Sequence, residues 1–517
     1  VTEGFEKSIL WKCIYYGAVI PRDSDYDPSS KEARAALADW SKQRQTGEIP
    51  PYMEFSPEQI KRQKFRYKAH EFIKEHCPSE STSVIWSLYY DLVPEHIRTD
   101  LLMFLILSHK CDTVRLENLT AIMKKFQHLV SHDWLYFVDL QTLSDFKLGL
   151  TPDEMLEKVD AWVGHVREHS LPDFDFYEVF SIGVKSFLND FVQPFNKRLL
   201  TVDQFLSDPM YWATPGSSDY TRLVDSNGDK ASKGKWASAI ATNYVDLKLT
   251  YWLDRYQINY ASTKRELAKA RMIISGDFSL YLKMSYLAYW LENVLRDHPH
   301  STLFYNKQQM LKLWLDMITN TKPLDAKINA SHFPTSKVNL TLDESKFDHE
   351  VNSKMVQICF KEIEAMIRIF APDYMKDDLI ATVILITKAV TAGVVLIRRQ
   401  GRPDFVVNIK NGLLSGFRLT AFLGTLINGA KVVGFRLVVI TRSGQLNDIS
   451  FDPIIDSTSQ GDDLRSRSPS YLHAKLFTEL YSESGFQVHP RKFFTSPYAD
   501  EFLRKIALYG KILTGYP

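Results

Sequence analysis

The chain has 517 residues, 45% of them hydrophobic and 24% charged, with a formal net charge of +1. That length exceeds what a single hydrophobic core sustains, so two or three substructures are expected. The balanced charge excludes a chain that is basic throughout, and any surface for a polyanion must be local. Four widely spaced cysteines (Cys13, Cys77, Cys111, Cys359), with no CxxC or Cys/His pattern, argue against a disulfide framework and a zinc site and fit a reducing compartment. Without an initiator Met or a charged-then-apolar leader, the chain reads as an excerpt or processed product of something longer.

In chain order, the first 200 residues or so read as mostly helical, on the periodic apolar positions of "AIMKKFQHLVSHDWLYFV" and "FYEVFSIGVKSFLNDFV", with no legible chemistry. The interval "TPGSSDYTRLVDSNGDKASKGKW" reads as loops. Within it Asp225, Asn227 and Asp229 imitate the start of a calcium loop, but the glycine is misplaced and no glutamate closes it. "ASTKRELAKAR" gathers Lys264, Arg265, Lys269 and Arg271, as either a solvated helix face or a phosphate-contacting arm.

In "SKVNLTLDESKFDHEV", Val338, Leu340 and Leu342 alternate with polar residues, the period of a half-buried strand, and Asp343 sits at its end. Asp348 is expected to open a helix with apolar positions Val351, Met355, Cys359, Ile363, Met366 and Phe370. The apolar run Leu379 to Ile397, with Lys388 in its middle, reads as a buried helix or helix plus strand rather than a membrane span. Sequons at Asn118, Asn329 and Asn339 read as chance, since nothing else indicates secretion. "NGLLSGFRLTAFLGTLINGA" predicts a helix ending at Asn428-Gly429, and Ser468-Pro469 and Gly485 bracket another. Between these lies "TSQGDDLRS", two adjacent aspartates behind a glycine on what reads as a tight turn between strands. Like charges side by side make physical sense where a multivalent cation sits against them.

In order, these segments resemble the motif series of viral RNA-dependent RNA polymerases. "DESKFD" (Asp343, Asp348) is similar to motif A, "SGFRLTAFLGTLIN" (Ser415, Gly416, Thr420, Asn428) to motif B, and "GDD" (Gly461, Asp462, Asp463) to motif C. "RELAKAR" is similar to motif F, "SGFQVHPRK" ending in Lys492 to motif D, "EFLRK" to motif E, and "TPGS" (Thr214 to Ser217) to motif G. The QGDD form and the HPRK–EFLR run look most like polymerases of double-stranded RNA viruses, totivirus-like ones first. Ala268 departs from the glycine that many totivirus-like enzymes carry there, which loosens the subfamily assignment.

The resemblance implies an α+β right-hand polymerase fold with an antiparallel palm sheet and largely helical fingers. It places a bracing helical segment at 1–210, fingers at 211–335 and 373–412, palm at 336–372 and 413–510, and only the start of a truncated thumb at 511–517. It implies template-directed RNA synthesis with two Mg²⁺ ions, or Mn²⁺ in their stead, held by Asp343, Asp462 and, in an auxiliary role, Asp463. Lys269 and Arg271 would hold the incoming triphosphate; Asp348, Ser415 and Asn428 would surround the ribose, with Gly416 and Thr420 in the same nucleotide-binding motif. Lys492 would protonate the leaving pyrophosphate. Thr214, Gly216, Lys264, Arg265, Arg504 and Lys505 would contact RNA. The implied partners are template and nascent RNA, NTPs and a viral capsid protein, with no membrane, and the implied locations are the virion interior and host cytoplasm. A reverse transcriptase shares the two-aspartate palm but would show YxDD, and a non-catalytic RNA-binding protein retaining the fold would have no reason to keep the acidic cluster. A reovirus-type core is chemically equivalent but belongs to a much longer chain.

Overall fold

The structure, a computed structural model, describes residues 57–514 apart from short stretches, chiefly 120–135, 144–148, 190–197, 215–222, 225–229, 266–269, 322–336, 489–492 and 504. Contacts divide the chain into two units, residues 1–69 and 70–517. Early in the second unit come the helices Glu80–Leu92 and Arg98–Leu107. Next is α1 (Pro152–Val159), started by a reciprocal Thr151–Glu154 capping box and followed by a one-turn π-helix, Asp160–Gly164. Then α2 (Phe176–Asn189) turns Phe176, Phe180, Val184 and Phe187 inward at helical spacing.

The described residues of the basic segment, on either side of 266–269, are strands and not a helix face. They form a β-hairpin, β1 (Ile258–Arg265) and β2 (Ala270–Ser275), which corrects the solvated-helix alternative. After it come α3 (Phe278–Val294), buried nearly all round, and α4 (Lys307–Asn320). The predicted strand forms as β3 (Val338–Leu342), but every residue of it is buried rather than alternate ones, because both faces of the strand are covered.

The helix expected from Asp348 is two helices. Phe347–Glu350 makes a single turn, α5, and α6 (Ser353–Phe370) starts afresh where Asn352 caps it by accepting from the Met355 amide. Of the predicted apolar stripe, Met355, Cys359, Ile363 and Met366 are buried, while Phe370 at the helix end is 41% exposed. The apolar run 379–397 is the helix plus strand anticipated: the end of α7 (Asp373–Thr391), then β4 (Val394–Ile397), with β5 (Phe405–Asn408) beside it.

Helix α8 (Thr420–Asn447) runs straight through Asn428-Gly429, where an end was predicted. A side chain at Gly429 would collide with the Phe187 ring, and one at Gly183 would collide with the Ala430 carbonyl. These glycines let α2 and α8 cross closely and do not stop the helix. By length and composition Thr420–Gly444 could cross a membrane, but 78% of its most apolar window is buried inside the protein, as in a core helix.

The chain finishes with β6 (Asp456–Gln460), β7 (Asp463–Ser468), α9 (Tyr471–Glu483), β8 (Phe494–Ser496), β9 (Ala499–Phe502), β10 (Lys505–Leu508) and β11 (Lys511–Thr514). Ser470 caps α9 and Gly485 stands past its end at φ 87°, close to the predicted bounds. Among the described residues, three larger sheets organise the unit beside a two-stranded one formed by Leu223–Val224 and Lys230–Ser232. One is antiparallel throughout, in the order β8-β3-β7-β6; a second runs β2-β1-β4-β5 with β1 and β4 parallel; a third is the meander β9-β10-β11. The mixture of helices with largely antiparallel sheets is α+β. The calcium-like segment 225–229 lies outside the described residues. Asn339 is buried in β3, where no sugar could be attached. Cys77, Cys111 and Cys359 are free thiols.

Candidate active site

The first sheet brings the acidic residues together. β3 and β7, the two inner strands of the sheet, pair antiparallel from Val338↔Ser468 to Leu342↔Leu464, so Asp343 and Asp463 are the next residues along each strand beyond the last paired position. Opposed Cα atoms in such a ladder lie about 4.5–5.5 Å apart. β6 and β7 form the hairpin predicted for the GDD segment, closing at Gln460↔Asp463 with Gly461 and Asp462 at its tip. Gly461 has φ 62°, a left-handed conformation that glycine adopts without strain.

The hairpin tip is gripped by α8. The Gly461 amide donates to Thr425 Oγ1 at 2.8 Å, and Asn428 Nδ2 donates to the Gly461 carbonyl at 2.8 Å. Asn428, expected at the ribose, is 1% exposed and has its amide committed to this turn. Thr420 is committed too, its hydroxyl donating to the Leu414 carbonyl at 2.6 Å and closing the loop before α8. Ser415 differs: its Oγ is buried with no hydrogen-bond partner among the described residues, an arrangement that costs free energy unless a ligand completes it. The neighbouring Gly416 amide donates to the Ile274 carbonyl at 3.0 Å, laying this loop against β2.

Asp348, on α5, faces the same place. Burial pushes its carboxyl up to about 7, the charge of Asp462 adds to the rise, and the Arg271 guanidinium opposes it. Arg271 on β2 is therefore within electrostatic reach of the acidic cluster. Directly across the ladder from it stands Lys264, so two basic side chains face each other on neighbouring strands. Lys269 lies outside the described residues, as do Lys492, Arg504, Gly216 and the side chain of Arg265. Lys505 opens β10, opposite Phe502.

Thr214 lines a cavity of about 570 Å³ that also reaches Tyr260, Tyr281, Arg398 and Gly416. Its hydroxyl meets Tyr281 Oη at 2.8 Å. Lys235 Nζ lies 4.5 Å from the centre of the Tyr281 ring, and the Arg398 guanidinium lies 4.9 Å from that of Tyr260. The cavity thus joins cations, aromatic faces and the loop that carries Ser415.

Among the described residues, no three His, Cys, Asp or Glu side chains stand close enough to hold an ion unaided, so the three-carboxylate clasp expected from the motifs is not preassembled. Three bare carboxylates at ligand distance repel one another. The donor set nevertheless fits Mg²⁺, which takes only one or two protein carboxylates and completes its shell with phosphate and water oxygens.

Two buried groups here escaped the sequence reading. Glu344, next to Asp343, pairs with Lys431 of α8, both buried away from solvent. A lysine inside the apolar run "INGAKVVG" was the available signal. Arg465 of β7 pairs with Asp500 of β9 at 2.6 Å and with Asp316 of α4 at 3.0 Å, tying the first and third sheets together. Nothing in the spacing of those residues announces that link.

No protein-family model matches the chain. It is similar to a probable RNA-directed RNA polymerase of Giardia lamblia virus (isolate Wang), 26% identical over 408 residues that make up 77% of this chain and 20% of that protein. The chain therefore spans about a fifth of the length of the curated relative it matches.

Proposed function

We propose that this chain carries the catalytic core of an RNA-directed RNA polymerase, with the β8-β3-β7-β6 sheet as its palm. The observation that supports it most directly is the register of β3 against β7, whose last pair, Leu342↔Leu464, directly precedes Asp343 on one strand and follows Asp463 on the other, with Asp462 at the adjoining turn. The similarity to the probable RNA-directed RNA polymerase of Giardia lamblia virus points the same way.

In the proposed reaction the 3′-hydroxyl of the growing RNA gives up its proton to solvent as its oxygen attacks the α-phosphorus of an NTP, the bond to the bridging oxygen breaks, and pyrophosphate leaves. Two Mg²⁺ ions, when bound, would stabilise the attacking and leaving oxygens. Asp343 and Asp462 would hold them, with Asp463 supporting. Arg271 and Lys269 would orient the triphosphate, the former through its two-pronged guanidinium. Ser415 and Asp348 would hydrogen-bond the ribose hydroxyls, the 2′-hydroxyl being what marks a ribonucleotide. Asn428 is assigned to holding the Gly461 turn in place, and Lys492 to protonating the leaving group. The cavity by Thr214, with cations over tyrosine faces, suits a single strand whose bases stack and whose phosphates are neutralised. Arg265, Arg504 and Lys505 would lie along the RNA, and a capsid protein, the virion interior and the host cytoplasm remain the proposed partner and locations.

Primer extension on an RNA template with NTPs and Mg²⁺ tests the proposal. Asp462→Asn should abolish synthesis while leaving template binding intact. Undiminished RNA yield from that variant would overturn the assignment, and preference for dNTPs would favour a reverse transcriptase.

A further inference from the structure

We infer that Trp162 is a positioning residue for sugar selection, setting the Asp348 carboxyl in place by holding the Asp348 main chain. The inference rests on the polymerase reading, since it assigns Asp348 to the ribose.

Helix α5, which carries Asp348, is a single turn of four residues. A helix that short has no stability of its own, so bonds from outside must set its position. The residue before it, Lys346, is left-handed at φ 56° and provides no side-chain cap. His169 Nε2 bonds the Glu350 carbonyl at 2.7 Å, and the Asp348 carbonyl itself is held from two directions. Trp162, in the π-helical turn after α1, donates from Nε1 to the Asp348 carbonyl at 3.0 Å. The Leu413 amide donates to the same oxygen at 2.8 Å, which occupies both of its lone pairs. The peptide after Asp348 is thereby fixed between a segment that looked functionally silent in sequence and the loop that leads to Ser415.

The surrounding contacts reinforce this. The indole lies flat on the His349 ring, with centroids 5.0 Å apart and 3° between planes. Asn411 Nδ2 donates to the His349 carbonyl at 2.8 Å, and the Lys410 amide donates to the Val163 carbonyl at 2.8 Å. Gly412 has φ 93°, and a Cβ there would stand 2.8 Å from Trp162 Cδ1. Loop 410–413 thus packs on the indole while bonding to α5, so displacing the ring displaces the Asp348 carboxyl.

A tryptophan that merely filled space would affect all substrates alike. One that places Asp348 alters the choice between sugars. The test is the ratio of incorporation efficiencies (kcat/KM) for a matched NTP and dNTP, measured with the full-length protein. Trp162→Phe keeps an aromatic ring against His349 and removes the donor. It should lower ribose preference by about 3- to 10-fold, the scale of one neutral hydrogen bond. Gly412→Ala, which pushes on the ring from the loop side, should act in the same direction, and Trp162→Phe should change nothing further in an Asp348→Ala background. An unchanged ratio in both single variants, or an undiminished effect of Trp162→Phe in the Asp348→Ala background, would overturn the inference while leaving the polymerase reading intact. A wild-type protein that extends no primer with either sugar would overturn both.

Discussion

Lys431 and Glu344 form an ion pair whose side chains are 0% and 4% exposed, directly behind the residue proposed as the first metal ligand, Asp343. The lysine comes from α8 and lies over the rings of Phe486 and Phe347, with Nζ 4.3 and 4.8 Å from their centres. Burial pushes the Glu344 carboxyl up and the Lys431 ammonium down, and the attraction between the two opposes both shifts. Glu344 Oε2 has no hydrogen-bond partner among the described residues, so the pair is held by one strong contact among aromatic faces. Lys431→Met should therefore destabilise the protein by ~3–5 kcal/mol, the cost of leaving a buried carboxylate alone, whereas Lys431→Met combined with Glu344→Gln should regain most of that. Urea unfolding of wild type and both variants measures it; a single variant as stable as wild type would show that the pair does not matter.

The two hydrogen bonds that hold Gly461 make a prediction about Asn428. If its amide serves the turn, Asn428→Ala should slow nucleotide addition by roughly tenfold, through misplacement of Asp462, and leave the preference for ribose near wild type. A role at the sugar would instead collapse that preference. Single-turnover incorporation of an NTP and its dNTP separates the two outcomes.

Asp348 should make stability fall as pH rises. Its carboxyl sits at about 7 in the folded protein and near 3.8 when unfolded, so the stability tied to it is fully present below 3.8 and is lost as pH climbs through 7. The shift corresponds to at most ~4 kcal/mol. His349, pushed down to about 4 by burial and nearby cations, works in the opposite sense, losing stability as pH falls from 6.5. Comparing Asp348→Asn with wild type isolates the first effect: the difference in Tm between them should grow from pH 4 to pH 8, and added Mg²⁺ should shrink it by neutralising Asp462.

Arg271 ties the β1–β2 hairpin to this chemistry. Arg271→Ala should raise KM for NTPs about tenfold, as expected when a charge-assisted contact to phosphate is lost. Because its guanidinium also lowers the Asp348 value, the same variant should move the transition of the pH–stability curve to higher pH. A variant with unchanged KM would place the triphosphate elsewhere.

Local pattern and motif order in the amino-acid sequence determined the strand Val338–Leu342, the Gly461–Asp462 turn, the helix-then-strand of 379–397 and the pairing of acidic and basic segments. Each depends on neighbours in the chain: a period of two, a glycine that tolerates positive φ, an apolar run too broken for a membrane. Only the tertiary structure decided the rest. Gly429 looked like a helix end, and the close approach of α2 turned it into a packing site. "ASTKRELAKAR" left a solvated helix face and a phosphate-contacting arm both open, and pairing next to β4 in a sheet excluded the helix. The partners Trp162–Asp348, Lys431–Glu344 and Arg465–Asp500 lie far apart in the chain and share no pattern, because their contacts are created by long-range packing, to which local periodicity is blind.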